Sequence, residues 1–128
     1  MERKKQKTKK LVVLVVDDET LIRVSACDAI EDAGHATLEA RNADDAVKVL
    51  EAHPEISVVV TDIQMPGSMD GIQLAQLIDR RWPKIPIIIS SGHVAPSASA
   101  PPHKSIILAK PYLPSVLTMV VCNAARAA

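Results

Sequence analysis

The stretch LVVLVVDDE, residues 11–19, decides the fold class of this chain. Its first six residues are all apolar and rich in valine, which is typical of a β-strand buried on both faces. Its last three residues are acidic, so the strand ends in an abruptly polar segment. Mostly apolar runs of equal or shorter length follow at residues 56–61, 85–90 and 106–109. Strands of this kind need helices to cover both faces of their sheet.

Amphipathic stretches separate these runs and predict helices. Each has a start or stop signal, such as a capping residue before it or a glycine or proline after it. The predicted helices run from Thr20 as cap to Gly34, from Asn42 as cap to Pro54, over residues 70–81 and over residues 115–126. Because strands and helices alternate, the sequence predicts a parallel five-stranded sheet in an α/β fold.

Two segments differ from this regular alternation. Residues 36–40, ATLEA, form a half-polar run, which is typical of a strand at the edge of a sheet. Residues 95–104 read APSASAPPHK, where a helix between two strands is expected. Its three prolines lack the backbone donors of a helix, and its serines and alanines offer no apolar stripe. We therefore predict a loop there, with at most one short helical turn.

The composition places the chain among single-domain globular proteins. It has 128 residues, of which 48% are hydrophobic and 23% charged. The longest apolar run has six residues, far below the roughly 20 needed to cross a membrane. With one Trp, one Tyr and no Phe, the chain lacks a stacking surface for single-stranded nucleic acid. Cys27 and Cys122 have neither disulfide-framework nor zinc spacing, which favours free thiols in a reducing cytoplasm.

The net charge of zero hides an uneven distribution. Residues 1–10 contain six of the fifteen basic residues and one acidic residue. Residues 11–128 therefore contain nine basic and fourteen acidic residues, a net charge of −5, which argues against a DNA-binding domain. We predict a disordered basic tail over residues 1–10 and one domain over residues 11–128.

Chemically informative residues follow the ends of the predicted strands. Asp17 and Asp18 follow the first buried strand directly, and Asp62 follows the strand that begins at Ile56. Sites in open parallel sheets form outside the carboxyl ends of the strands, where the strand order reverses. If residues 36–40 form the edge, this point lies between those two strands and brings the three carboxylates together. Their repulsion favours a divalent cation, and oxygen ligands of this kind suit Mg²⁺.

Two further strand-end residues complete the predicted site. Lys110 ends the last strand and supplies a fixed positive charge, and the hydroxyl of Ser91 could donate to an oxyanion. Each residue alone is as well explained by a turn or a helix cap. Together, carboxylates, Mg²⁺, lysine and hydroxyl suit phosphoryl transfer onto a carboxylate.

Four motifs resemble the receiver domain of two-component response regulators, and the resemblance covers about residues 11–126. The motifs are VLVVDDE (13–19), VVVTDIQMPGSMDG (58–71), PIIISSG (86–92) and AKPY (109–112). The resemblance implies a flavodoxin-like, doubly wound five-stranded parallel sheet in the order 2-1-3-4-5. In this chain we expect the fourth helix to be short or replaced by the proline-rich loop.

The resemblance also implies a role for each site residue. Asp62 would accept the phosphoryl group, with Ser91 as the switch hydroxyl, five residues after Pro86, and Lys110 pairing with the phosphate. The implied Mg²⁺ ligands are Asp18 and Asp62 directly, Asp17 through water and the backbone carbonyl of Gln64. The Lys110–Pro111 bond is expected to be cis, as in similar receivers.

Three departures from the family pattern concern the output of the domain. The PGSMDG loop after Asp62 is one residue longer than usual, so residues 69–71 are expected to lie differently. Ile107 stands where receivers usually have Tyr or Phe, and the fourth helix is the proline-rich segment. The usual path from the phosphate to the output surface is therefore in question, and these features resemble a subgroup of stand-alone bacterial receivers.

We expect a single-domain, cytoplasmic response regulator, a monomer or weak dimer, without catalytic turnover beyond Mg²⁺-dependent self-phosphorylation and autodephosphorylation. Its phosphodonor would be a sensor histidine kinase or a histidine phosphotransfer protein, and its output would be contact with an unknown protein target or a phosphate sink. The donor histidine is supplied by the partner. The chain's own histidines, which are His35, His53, His93 and His103, are interpreted as surface or loop residues. His93 is the one near Ser91, at a position that flanks the phosphate in similar receivers.

Two other classes of function are compatible with parts of this pattern. A haloacid-dehalogenase-type phosphatase also uses a strand-end Asp and Mg²⁺, but it needs a second Asp two residues later, where this chain has Gln64. A phosphorylation-independent binding module would need only the fold and would have no reason to keep clustered carboxylates. A nucleotide site is excluded because no GxGxxG or GxxxxGK[ST] motif follows any strand.

Overall fold

Strands and helices alternate along the part of the chain that this computed structural model describes, which is residues 10–92, 102 and 104–127. The five strands are β1 (Val12–Val16), β2 (Ala36–Ala40), β3 (Val58–Asp62), β4 (Ile87–Ser91) and β5 (Ile106–Ala109). Within those residues the helices are α1 (Thr20–Asp32), α2 (Ala43–Ala52), α3 (Gly71–Arg81) and α4 (Pro114–Ala127).

All five strands pair in parallel, in the order β2-β1-β3-β4-β5. The flavodoxin-like, doubly wound architecture predicted from the sequence is confirmed. The half-polar strand β2 lies at one edge, as its composition indicates, and the strongly apolar strands β1 and β3 lie inside the sheet. The strand order therefore reverses between β1 and β3, which fixes where a site can form.

Each face of the sheet has its own apolar core. On one face, Ile30 of α1 and Leu117 of α4 pack with alternate residues of β1 and β3, including Val13 and Val58. On the other face, α2 and α3 cover the remaining strand residues, with side chains such as Leu74 completely buried. The sheet is thus held between two helical layers, and its carboxyl edge is a rigid platform.

The first helix corrects one prediction. Its N-cap is Glu19 rather than Thr20, and Glu19 makes no side-chain capping bond. The carboxylate of Asp17 instead accepts the backbone N–H of Glu19 at 2.9 Å, which shapes the turn so that Thr20 is already helical. Asn42 caps α2 as predicted, by accepting the backbone N–H of Asp45 at 2.8 Å.

Local hydrogen bonds explain where α1 ends and where α3 begins. Gly34, at φ +97°, ends α1, and the N–H groups of Gly34 and His35 bond the carbonyls of Glu31 and Ile30. Asp70 and Gln73 form a reciprocal capping box at the start of α3. The two predicted strands at residues 56–61 and 85–90 begin two residues later in the structure and end one residue later, so they include Asp62 and Ser91.

Some predictions concern residues outside the described part of the chain. They include nearly all of the basic tail at residues 1–10, most of the predicted loop at residues 95–104, His93 and His103. No helix in the described residues is both long and apolar enough to cross a membrane.

Candidate functional site

The site lies at the carboxyl edge of the sheet, where β1 and β3 run side by side. Val16 pairs with Thr61 in the register of these strands, so Asp17 follows β1 next to Asp62 at the end of β3. Asp18 extends the same turn into solvent. The sequence predicts this meeting of three carboxylates at the switch point, and the structure brings them together.

The three carboxylates are close enough to share one cation. One carboxylate oxygen from each of Asp17, Asp18 and Asp62 lies within 4.8 Å of the others. Asp17 and Asp62 are buried and Asp18 is exposed, so the cluster opens to solvent on one side. Hard carboxylate oxygens on an open, water-accessible edge are the donor set that Mg²⁺ accepts.

Lys110 supplies the positive charge of the site. Its Nζ lies 3.1 Å from Oδ1 of Asp62 and 3.7 Å from Oδ2 of Asp17. Its backbone N–H bonds the carbonyl of Ser91 at 2.8 Å, so β4 fixes where Lys110 leaves β5. The Lys110–Pro111 peptide bond is cis, as the resemblance implies.

Burial and charge affect the two inner ionisable groups differently. Burial raises the pKa of Asp17 above its usual value, helped by the negative charges of Asp62 and Asp18, although the N–H of Glu19 and the charge of Lys110 oppose this. Burial alone would lower the pKa of Lys110, but its bond to Asp62 and the charges of Asp62 and Asp17 outweigh it and raise the pKa. The site therefore favours the charged form of Lys110 and disfavours the charged form of Asp17.

Of the other predicted residues, Ser91 and Gln64 lie at the same edge of the sheet as the carboxylates, whereas His35 and His53 do not. Ser91 is buried at the end of β4, the strand next to β3, and Gln64 is exposed two residues beyond Asp62. His35 and His53 lie at the opposite edge of the sheet, before β2 and β3. His53 is in an exposed contact with Glu55, but His35 is buried, contrary to a surface position.

The buried ring of His35 has a partner for each of its two nitrogens, so its burial leaves neither nitrogen unpaired. Nδ1 accepts the backbone N–H of Leu11 at 3.0 Å, and Nε2 faces the sulfur of Cys122 at 3.5 Å. This histidine therefore connects Leu11, the residue before β1, with Cys122 of α4, at the edge of the sheet opposite the carboxylates.

Two residues that contact the site are not predicted from the sequence. Arg23 of α1 donates from Nη1 to the backbone carbonyl of Asp17 at 2.8 Å. Gly71, the first residue of α3, lies against the backbone of Asp62. A Cβ at Gly71 would be 1.9 Å from the Asp62 carbonyl oxygen. Their partners are backbone atoms, so no pattern of side-chain types reveals these contacts.

The fold and the acidic site together define a doubly wound α/β domain with a carboxylate cluster at its switch point. Comparison with known families identifies it further. The profile of the "Response regulator receiver domain" family matches residues 13–118, which is most of the chain. This protein belongs to the response regulator receiver domain family.

Similar proteins agree with this assignment. The chain is 42% identical over 84 residues to an NtrX-like response regulator of Rickettsia conorii, and 35% identical over 82 residues to the nitrogen assimilation regulatory protein NtrX of Azorhizobium caulinodans. These matches cover 65% and 63% of this chain but only 18% of each relative, so the chain spans less than a fifth of their length.

A solved structure matches over nearly the whole length of both chains. The crystal structure of a response regulator receiver protein from Sinorhizobium medicae WSM419 superposes with a TM-score of 0.82 at 29% identity. The match covers 94% of this chain and 98% of that one.

Proposed function

We propose that this domain accepts a phosphoryl group on Asp62 from a phosphohistidine of a sensor histidine kinase or a histidine phosphotransfer protein. The observation that carries the proposal is the position of Asp62. Its carboxylate lies at the switch point, in a cluster with Asp17 and Asp18 and 3.1 Å from the ammonium of Lys110. Such a cluster offers both an attacking carboxylate and the charges that hold a phosphoryl group.

The proposed transfer is a single displacement at phosphorus. An Asp62 carboxylate oxygen forms the new P–O bond while the P–N bond to the partner's imidazole breaks. The imidazole leaves with the electron pair of that bond and takes up one proton from solvent. Lys110 balances the negative charge on the transferred group, and the hydroxyl of Ser91 donates to one of its oxygens.

The residues present fit a magnesium site. Asp18 and Asp62 would bind the ion directly, Asp17 through water, and Gln64 through its backbone carbonyl. When bound, Mg²⁺ supplies positive charge that offsets the repulsion among the carboxylates and the incoming phosphate oxygens. Burial, with smaller contributions from the charges of Asp62 and Asp18, raises the pKa of Asp17, and a nearby cation would favour its charged form.

Exposed apolar side chains beside the site support a protein as the phosphodonor. Leu21 and Leu113 each lie three residues after a site residue, Asp18 and Lys110, and they are 85% and 67% exposed. Large apolar groups at the rim of a charged site are suited to a protein interface.

We propose that residues 11–128 form the receiver, that residues 1–10 form a separate basic tail, and that the output is contact with a protein target.

Chemical phosphorylation tests the proposal without knowledge of the partner. The intact mass of the protein is measured after incubation with acetyl phosphate and Mg²⁺, for the wild type and Asp62→Asn. We expect one added phosphoryl group in the wild type, none in the variant, and none in the wild type with excess chelator. Equal phosphorylation of both proteins, or of neither, would contradict Asp62 as the acceptor.

A further inference from the structure

We propose that Arg23 is a positioning residue that holds the Asp17–Asp18 turn in place and thereby sets the affinity of the site for a divalent cation. The proposal rests on the function proposed above, since it concerns the same site.

Arg23 links the acidic turn to the edge of the sheet. Its Nη1 donates to the backbone carbonyl of Asp17 at 2.8 Å, and its Nε donates to Oε1 of Glu39 in β2, also at 2.8 Å. The Arg23 side chain is 15% exposed. Its bond to the Asp17 carbonyl is partly buried, whereas its bond to Glu39 is exposed to solvent. One planar guanidinium therefore ties the end of β1 and the start of α1 to β2.

This contact completes the set of bonds around Asp17. The backbone N–H of Asp17 bonds the carbonyl of Ala40 at 3.1 Å, and its carboxylate accepts the N–H of Glu19. The carbonyl of Asp17 lies beyond the last β1–β3 pair, and Arg23 provides its donor. Asp17 is therefore fixed through its amide, its carbonyl and its side chain, which sets the direction in which Asp18 leaves the turn.

Loss of Arg23 has two opposite effects on cation binding. The Asp17 carbonyl loses a charge-assisted hydrogen bond, so the turn gains freedom that a bound cation must remove. The variant simultaneously loses the positive charge that Arg23 pairs with Glu39, which reduces the repulsion of an incoming cation. Partners that orient metal ligands usually contribute about 10- to 100-fold in affinity. Since Glu39 is half-exposed and screened, we expect the loss of order to dominate.

The test is the dissociation constant for Mg²⁺, measured by titration calorimetry with MgCl₂ on the wild type and four variants. Arg23→Gln removes both bonds, and Arg23→Lys retains the charge but lacks the planar guanidinium that spans the two acceptors. Glu39→Gln retains the bond between Arg23 and the Asp17 carbonyl. Arg41→Gln removes an equal charge from an exposed arginine, whose only recorded ion pair among the described residues is with Asp45 at 4.0 Å.

We expect Arg23→Gln to bind Mg²⁺ about tenfold more weakly than the wild type, and Arg23→Lys to be intermediate. Glu39→Gln should weaken binding much less than Arg23→Gln, and Arg41→Gln should not change it. In phosphorylation by acetyl phosphate, Arg23→Gln should raise the Mg²⁺ concentration for half-maximal rate. The maximal rate at saturating Mg²⁺ should remain that of the wild type, which general misfolding would not give.

Two results would overturn the proposal while leaving the phosphoacceptor function intact. One is a Mg²⁺ dissociation constant for Arg23→Gln that lies within about twofold of the wild-type value, in a wild type that becomes phosphorylated. The other is an equal loss in Arg23→Gln and Glu39→Gln, which would assign the effect to the ion pair rather than to the carbonyl contact. A wild type that neither binds Mg²⁺ nor becomes phosphorylated would overturn both proposals.

Discussion

The ammonium of Lys110 contacts the carboxylates of both Asp62 and Asp17. These are the same carboxylates that a divalent cation would bind. This position gives Lys110 two opposite influences. It stabilises the carboxylates of the metal-free protein, and it repels a divalent cation that approaches them. In the proposed transfer, Lys110 would also balance the negative charge on the phosphoryl group.

Replacement of Lys110 by glutamine should therefore separate metal binding from phosphorylation. We expect Lys110→Gln to bind Mg²⁺ about threefold to tenfold more tightly, because the competing charge is removed. Its phosphorylation by acetyl phosphate should nevertheless be at least about tenfold slower, since a preorganised electrostatic contact is lost. Titration calorimetry and intact mass spectrometry measure the two effects.

Lys104→Gln is the matched control for this pair of measurements. Lys104 bonds Asp79 and the Pro83 carbonyl at the other edge of the sheet, so its loss should change neither quantity. Weaker Mg²⁺ binding by Lys110→Gln would contradict the competition between Lys110 and the cation.

Asp17 gives a prediction about pH and stability. Its pKa in the folded protein is raised above the ordinary value, so the stability it contributes is present at low pH and lost as the pH rises through the folded pKa. Without metal, Asp17→Asn should therefore be more stable than the wild type at pH 7, and the gain should shrink as the pH falls.

Added Mg²⁺ should reverse this order, because the wild type retains the charge that binds the cation. Urea unfolding at several pH values, with and without Mg²⁺, provides the measurement. A metal-free Asp17→Asn that is less stable than the wild type at pH 7 would show that the ionised carboxylate is favourable in the fold.

At the scale of the elements, two glycines begin or end helices for different physical reasons. Gly34 follows α1 at φ +97°, with open space around a built Cβ. Gly71 begins α3, and its N–H bonds the Ile63 carbonyl at 2.7 Å while a Cβ would lie 1.9 Å from the Asp62 carbonyl oxygen. Gly34 allows the left-handed backbone conformation at the end of α1, and Gly71 allows α3 to approach β3 closely at Asp62.

Alanine at these two positions should have clearly different effects. Gly34→Ala should cost about 1 kcal/mol of unfolding free energy, the strain of a left-handed residue with a side chain. Gly71→Ala should cost roughly 3 kcal/mol or more, because backbone atoms cannot yield as a flexible side chain would. Urea unfolding measures both, and equal costs would contradict the close packing of α3 on Asp62.

Sequence reasoning succeeds for residues whose role depends on local pattern and topology. Asp17, Asp62 and Lys110 can be placed at one edge because buried strands are visible as apolar runs and parallel strands share a carboxyl end. The cap of α1 is predicted one residue late, because the carboxylate of Asp17 shapes that turn. Arg23 is not predictable, because its contact with a backbone carbonyl depends on the rotamer of one long side chain.

At the scale of the whole molecule, the thiol of Cys27 reports on opening of the core. It is buried in the layer formed by α1, α4 and the sheet, and burial raises its pKa to about 11. Since the thiolate is the reactive form, Cys27 should react with thiol reagents only when this layer opens. A cation that binds only the folded protein makes such opening rarer.

Labelling of Cys27 should therefore be slowed by Mg²⁺. In Cys122→Ser, which leaves Cys27 as the single thiol, Mg²⁺ at ten times its dissociation constant should slow labelling about tenfold. In Cys122→Ser with Asp18→Asn, Mg²⁺ at the same concentration should have a much smaller effect. Rapid labelling that ignores Mg²⁺ in the first protein would show that α1 opens independently of the site.

Locating the modified residue shows whether Asp62 becomes an aspartyl phosphate. Borohydride reduces an acyl phosphate to an alcohol, so a phosphorylated aspartate becomes homoserine and can be found by peptide mass spectrometry. After treatment with acetyl phosphate and Mg²⁺, we predict homoserine at position 62 and unmodified aspartate at positions 17 and 18. Homoserine at position 17 or 18 instead, or at none of the three, would rule out Asp62 as the phosphoacceptor.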